Sequence, residues 1–321
     1  MNKFINQRSI MLGLLLASLV APFFAYPVFL MTALCFALFA CAFNLLLGYA
    51  GLMSFGHAMF FGMSAYFFGH AVKEWNLPPE IGIVIGVLGA AAIGLVTGAL
   101  AIRRQGIYFA MITLAFAQMI YFLCVQMPFT HGEDGLQGIT RRPLLGGLID
   151  TRNDVVLYYV VLAIFLFGYG AIYRFIHSPF GQVLKAIRDN EQRALSLGYH
   201  ADRYKLLAFV LSAALAGLAG ATKAMVLQFA TLTDVSAAMS GEVVLMALVG
   251  GLGTIIGPVI GAFIIITMQN YLAATGEFVL VIQGVIFVVI VMAFRKGVVG
   301  EFSEWWKARR SGPRARPTAA D

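Results

Sequence analysis

The sequence predicts an all-α polytopic membrane protein with about ten transmembrane segments. Three observations carry this. Of 321 residues, 60% are hydrophobic and 12% are charged, whereas soluble domains carry about 25% charged and about 45–50% apolar residues. The apolar residues gather in runs close to the roughly 20 residues that a spanning helix requires. Lysine and arginine concentrate in a few stretches between those runs, as they do in loops on the cytoplasmic side. A chain of this size cannot hide so much apolar surface inside itself, so lipid is its solvent. Long aromatic-rich runs exclude a β-barrel, which is built from alternating segments of about ten residues. The net charge of +7 follows from the loop bias and does not indicate nucleic acid. Cys35, Cys41 and Cys124 all lie inside apolar runs. They exclude a disulfide scaffold and read as buried thiols.

The runs span 10–26, 28–47, 52–72, 80–102, 107–127, 154–176, 205–227, 236–250, 254–274 and 278–294. The first follows Lys3 and Arg8 in the manner of a signal peptide. The next run begins directly after Tyr26-Pro27, however, so it reads as a first membrane helix. In 80–102, Gly82, Gly86, Ala90, Gly94 and Gly98 recur every four residues and make a smooth ridge for close helix packing. Gly253, Gly257 and Gly261 repeat the pattern near 254–274. The run 236–250 is short and suits a half-helix or a tilted, partly re-entrant piece.

Placing both termini in the cytoplasm leaves 1–9, 103–104, 174–205 and 295–321 inside. These hold 2, 2, 6 and 7 of the 22 Lys and Arg residues. In the outer loop 128–153, Arg141, Arg142 and Arg152 are offset by Glu133, Asp134 and Asp150. The organisation is a cytoplasmic N-terminus (1–9), a permease domain (10–294, including the inner loop 177–204) and a basic cytoplasmic tail (295–321). Trp305-Trp306 in the tail reads as an interfacial anchor. The inner loop divides the spans five and five, and an odd number per half gives the two halves opposite topology. Inverted repeats of this kind recur in transporters.

Four places can carry function. Asn44, Gly51, Ser54, Gly56 and His57 put an amide, a hydroxyl, an imidazole and glycines between two apolar runs. Irregular backbone at membrane depth is tolerated only against protein or a water-filled path, so this stretch lines a translocation route or is a plain turn with His57 bonded to a carbonyl. In the inner loop, Ser178-Pro179 starts a helix and Gly198 stops it. Phe180, Val183, Leu184, Ile187, Ala194 and Leu195 fall on one face, while Lys185, Arg188, Asp189, Glu191, Gln192 and Arg193 fall largely elsewhere. Such a helix lies on the membrane surface or fits a groove on a cytoplasmic partner; mixed charge favours the partner, because a lipid-binding helix is mostly basic. Ser240 and Glu242 open the short run 236–250, where an intramembrane carboxylate needs a partner, a cavity or a shallow position. Lys223 either snorkels outward or meets Glu242. Thr113 and Gln118 suit interhelical hydrogen bonds or pore lining. Gly-Lys occurs nowhere in the chain, so it has no Walker-type phosphate loop, and no metal-ligand spacing or catalytic constellation is present.

Several stretches together resemble one family. Asn44 to Phe61, Gly106 to Phe116, Ser178 to Glu191, Tyr204 to Phe209 and Gly250 to Pro258 are similar to the LivM-type permeases of ABC importers for branched-chain amino acids, and the resemblance covers about residues 28–295. It implies one half of a membrane channel in the bacterial cytoplasmic (inner) membrane. The channel pairs with a LivH-type permease and is driven by two cytoplasmic ABC ATPase subunits that carry ATP and Mg. A periplasmic or surface substrate-binding protein feeds it. The chain itself would hold no cofactor, metal or catalytic residue. The inner loop then corresponds to the coupling helix that docks in the ATPase, through Phe180, Leu184, Arg188, Asp189, Glu191, Ala194 and Gly198. Glu191, Ala194 and Gly198 stand where importer permeases carry their Glu-Ala-Ala signature, in a departed spacing. The translocation path would run past Asn44, Gly51, Ser54, Gly56, His57, Thr113, Gln118, Ser240 and Glu242. Relatives carrying urea, short amides or aromatic acids share this fold. An ion-coupled secondary transporter is the competing class and would rest on Glu242.

Overall fold

A computed structural model of the chain describes residues 18–147, 149–272, 279–293, 297 and 299–301. Most of the run 10–26 and of the tail, including Trp305-Trp306, lies outside them. Each of the other nine apolar runs holds a helix. These are α1 (Pro27–Asn44, prolonged by a π-helical turn, Leu45–Ala50), α2 (His57–Lys73), α3 (Pro79–Ala101), α4 (Ile107–Gln126) and α5 (Asp154–His177). After α6 (Pro179–Asp189) and α7 (Glu191–Ser196) come α8 (Ala201–Leu227), α9 (Ala237–Gly250), α10 (Gly257–Leu272) and α11 (Val279–Ala293). Five helices among the described residues are long and apolar enough to cross a membrane: α1 with its π turn, α3, α4, α5 and α8. The rest of the run 52–72 is not helical before His57, because the chain is extended or bent from Gly51 to Gly56.

Helix α1 is the axis of the bundle. Its apolar window is 89% buried, against 28% for α3 and 33% for α4, which stand at the periphery. Buried Phe39, Phe43, Phe60, Phe61 and Phe209 fill the space between α1, α2 and α8. The small-residue ridge of α3 enters the cleft between α2 and α8. A Cβ on Gly86 would sit 2.7 Å from Ser64 Oγ, one on Gly94 2.6 Å from Ala213 Cβ and one on Gly98 2.7 Å from Phe209 Cδ1. Any side chain larger than hydrogen would force α3 outward, which is how small residues bring membrane helices together. On the other flank, Gly257 and Gly261 let α10 lie against the backbone of α9. Gly253 belongs to the preceding turn, at φ +72°, and not to that ridge.

The 128–153 face is tied by its own polar groups. Arg141 bonds Asp154 at 2.6 Å and the Val226 carbonyl at 2.8 Å, Arg142 donates to the Asn76 carbonyl, and Lys73 Nζ donates to the Gln137 carbonyl at 2.9 Å. A two-residue antiparallel sheet pairs β1 (Leu136–Gln137) with β2 (Phe229–Ala230). These two-residue strands are too short to carry an alternating pattern. The Cys35, Cys41 and Cys124 thiols are free and buried.

Candidate functional site

The helix break after α1 begins where Gly51 takes the left-handed conformation (φ 72°, ψ 17°), a region that disfavours residues with a Cβ. From there to Gly56 the chain is not helical: Gly51 and Leu52 N–H still reach back to the Leu46 carbonyl, and the next donors shown find side chains. Phe55 N–H donates to Thr113 Oγ1 at 3.2 Å, Gly56 N–H to Ser54 Oγ at 3.3 Å and Ala58 N–H to Ser240 Oγ at 3.1 Å. Ser54, Gly56, Thr113 and Ser240 therefore meet around the start of α2. A Cβ on Gly56 would collide with the Thr113 carbonyl oxygen. Met53, in the same stretch, is exposed.

His57 fixes the depth of this start. Its Nε2 lies 2.7 Å from Ser212 Oγ, and Ser212 donates its own hydrogen to the Ala42 carbonyl at 2.5 Å. Ser212 therefore accepts, and Nε2 carries the imidazole proton. Phe43, Phe60 and Phe209 present edges around the ring at 5.3–6.3 Å. Ser212 is the twelfth residue of α8, so α2 begins level with the middle of that helix. One imidazole thus ties α1, α2 and α8 together.

Asn44 joins this break to a second one. Its Nδ2 donates to the Thr254 carbonyl at 2.8 Å, and its Oδ1 accepts from Gly253 N–H at 3.0 Å. The two glycine-rich turns, Gly48–Gly51 and Gly250–Gly253, are therefore in contact on one face of the bundle. A Cβ on Gly48 would lie 2.8 Å from Gly253 N.

The loop between α5 and α8 folds over that same face. The sequence predicts one helix from Ser178 to Gly198. The structure has two, because Asn190 is extended (φ −158°, ψ 100°) and its side chain caps Arg193 N–H at 3.0 Å. Ser178 caps α6 through Gly181 N–H, and Gly198 stands past α7 at φ +87°. Most of the apolar face points inward, except Leu195, which is 48% exposed: Phe180 stacks on Tyr204 at 4.8 Å, while Leu184, Ile187 and Ala194 are buried. Glu191 also turns inward. It accepts from Lys205 Nζ at 2.6 Å and from Gln105 Nε2 at 2.9 Å. Arg188 donates to the Gly48 carbonyl and to Asp189 Oδ1. Outward-facing are Asp189, Gln192, Arg193, Leu195, Leu197, Gly198 and Tyr199, with Leu197 70% exposed.

Lys223 neither snorkels nor meets Glu242. Its Nζ lies 2.7 Å from both carboxylate oxygens of Asp234, and the two residues are 5% and 2% exposed. Asp234 comes within reach because the chain reverses after α8, with Gln228 left-handed at φ 63°, and Thr231 N–H caps the carboxylate. Glu242 is half-buried beside the Gln269 side chain of α10. Gln118 is half-exposed on the outer side of α4, among exposed Met111, Leu114, Met119 and Phe122. Among the described residues no group of three or more His, Cys, Asp or Glu is arranged to hold a metal.

A bundle of apolar helices, two of its turns broken and joined beneath an amphipathic cap, defines a membrane permease. The chain belongs to the permease-component family of branched-chain amino acid transport systems, whose family model matches residues 25–291. It is 24% identical over 326 aligned positions to the high-affinity branched-chain amino acid transport system permease protein LivM of Salmonella typhimurium, covering 92% of this chain and 75% of that protein. Against LivM of Escherichia coli the identity is 26%, over 80% of this chain and 65% of the relative. The ribose import permease protein RbsC of Bacillus subtilis is 33% identical over 37% of this chain and 39% of its own length. No solved structure matches the chain.

Proposed function

We propose that this chain is one half of the transmembrane channel of an ATP-driven importer in the bacterial cytoplasmic membrane, and that its cargo is branched-chain, hydrophobic amino acids. The observation that carries the reading is the α6–α7 cap, seated on the joined breaks of the bundle and presenting an apolar, mixed-charge surface away from it. Such a surface suits a groove on a partner chain. The LivM proteins of Salmonella typhimurium and Escherichia coli match 92% and 80% of this chain, and the sugar permeases between 37% and 68%, which supports the cargo class.

In this reading the chain spans the membrane ten times, five spans on each side of the 177–204 loop, with both termini cytoplasmic. The segment 236–250 is a short span whose start lies in the outer half. The permease domain covers 10–294, flanked by a short N-terminus and a basic tail. A LivH-type permease packs alongside, an external binding protein delivers cargo, and two ATPase chains supply ATP and Mg. Docking to the ATPase uses Leu195, Leu197 and Tyr199, rimmed by Asp189, Gln192, Arg193 and Gly198. Phe180, Leu184, Glu191 and Ala194 hold that surface in place from beneath. The cargo passes outside the α2 break, along exposed Met53 and the outer side of α4 at Gln118, with Ser54, Gly56 and Thr113 packed together behind that surface. A polar Gln118 on an otherwise apolar exposed face supports a path there rather than lipid.

Mild-detergent purification of the tagged chain from its native membrane tests the assembly. Recovery of a second permease and two ATPase chains is expected, and recovery of this chain alone overturns the reading. Uptake by the purified complex in proteoliposomes then separates leucine from urea, short amides and aromatic acids. Loss of uptake in Glu242→Gln with ATP-independent, gradient-driven transport in the wild type would instead establish the ion-coupled class.

A further inference from the structure

We propose that Arg188 and Asn44 form a clamp that binds α6 to both helix breaks, so that a displacement of α6 moves the lower ends of α1, α9 and α10 as one body. The proposal rests on the importer reading above and names the route by which force from the docked ATPase enters the membrane domain.

Each link is a short polar contact to backbone. Arg188 Nη1 donates to the Gly48 carbonyl inside the π turn of α1. Its aliphatic stem lies against Gly51, where a Cβ would stand 2.7 Å from Arg188 Cγ. Asp189 Oδ1 accepts from Arg188 Nε at 3.2 Å and Nη2 at 3.0 Å, so the guanidinium is held from behind while it reaches forward. Lys185, one turn earlier, places its ammonium 5.5 Å from the centre of the Tyr49 ring. Two residues of α6 thus grip one turn of α1.

Asn44 carries the link onward. It is 3% exposed and spends both its donor and its acceptor on the second break, at Thr254 O and Gly253 N. A side-chain amide offers donors and an acceptor on one small planar group. Thr254 closes the turn by donating to the Gly251 carbonyl at 2.7 Å and accepting from Gly257 N–H at 3.1 Å, the first residue of α10. Gly48 and Gly253 press together with no room for a Cβ between them. The route from α6 to α10 therefore runs through contiguous hydrogen bonds and backbone contact.

The cap has a second anchor of a different kind. Glu191 bonds Lys205 in the unbroken helix α8 and Gln105 in the α3–α4 turn. Arg188 bonds at a helix break, where hinge motion is absorbed. The cap thus pivots on Glu191 and pulls through Arg188. Arg188 is a positioning residue in this proposal: its side chain is 40% exposed, but all three of its guanidinium nitrogens bond within this chain.

The test uses the complete complex with its ATPase chains in proteoliposomes, reading ATP hydrolysed per cargo molecule imported and ATPase retained on purification. Arg188→Met keeps the stem and removes every donor. Asn44→Asp keeps the acceptor for Gly253 and removes the donor to Thr254. Each is expected to retain the ATPase chains and to raise ATP consumed per cargo by about tenfold, within the range of ordinary coupling between sites. Arg188→Lys, with one donor point, should fall between, and it carries the test if Arg188→Met is recovered in too small an amount. An unchanged ratio in Arg188→Lys and Asn44→Asp overturns the clamp and leaves the importer reading standing. Loss of the ATPase chains from Arg188→Met overturns it too, by making Arg188 a docking residue. A wild-type complex that binds no ATPase is the distinct result that removes the importer reading itself.

Discussion

Removing either member of the Lys223–Asp234 pair should destabilise the fold far more than removing both. At 2.7 Å and an effective dielectric near 20, the two charges attract by about 6 kcal/mol. Against this stands a desolvation cost of several kcal/mol for each ion, which both pay because both are almost wholly buried. The intact pair is therefore close to neutral, and its energy appears when one charge is left behind, at about 3–5 kcal/mol. Lys223→Met leaves the Asp234 carboxylate with only the Thr231 amide and hydroxyl, both at 3.3 Å. Asp234→Asn leaves the ammonium with the Phe229 ring, 4.8 Å from its centroid. The double variant Lys223→Met, Asp234→Leu strands no charge and should return most of the loss. Cys35, Cys41 and Cys124 are free and buried, so a thiol-reactive fluorophore follows thermal unfolding in detergent without added labels. Both single variants should unfold many degrees below the wild type and the double variant near it. A double variant as unstable as the two single losses added together would refute the coupling.

Gly220→Ala should abolish recovery of monodisperse protein in size-exclusion chromatography, because a Cβ there would fall on the Phe61 carbonyl oxygen and part α2 from α8. Ser212→Ala leaves the buried His57 Nε2–H without its partner; at about 1–3 kcal/mol for a stranded buried group, the midpoint of thermal unfolding should fall measurably. Leu197→Asp should release the ATPase chains on purification with that midpoint unchanged, since Leu197 is exposed and supports nothing beneath it. Gly56→Leu should lower the amount of folded protein as well as uptake, because its Cβ has no space beside Thr113.

Much of the bundle was legible in the sequence because membrane helices are written in composition. The ridge Gly82 to Gly98 announced a close contact, and it is one. Ser178-Pro179 and Gly198 marked the ends of the cap correctly, while Asn190 was read as part of one helix; its side chain competes for the backbone and starts a second. Amphipathicity sorted the cap into apolar and charged faces but placed Arg188 and Glu191 on the outer one. Both bond inward, because the Gly48 carbonyl in the π turn and the Lys205 ammonium attract them, and neither attraction has a sequence period. Lys223 signalled that a buried partner exists. Glu242, nineteen residues on, stands out as a carboxylate at the start of an apolar run; Asp234 stands closer, in a Thr-Leu-Thr-Asp stretch with the polarity of an ordinary loop. The left-handed Gln228 turns that loop back over α8, and a glutamine gives no warning of such a turn.

The ridge of α3 also sets a timing problem for synthesis. Its partner surface on α8, around Phe209 and Ala213, leaves the ribosome roughly 110 residues after Gly98. At about 5–20 residues per second, the Gly94–Gly98 end of α3 waits about 5–20 s in the bilayer as a groove of small residues without its α8 partner, while Gly82 and Gly86 already face α2. Such grooves pair readily with one another, so a neighbouring nascent copy is a competitor for that surface during the wait. Codon choice between residues 107 and 205 therefore bears on how many chains mature, although no residue in the finished protein would differ.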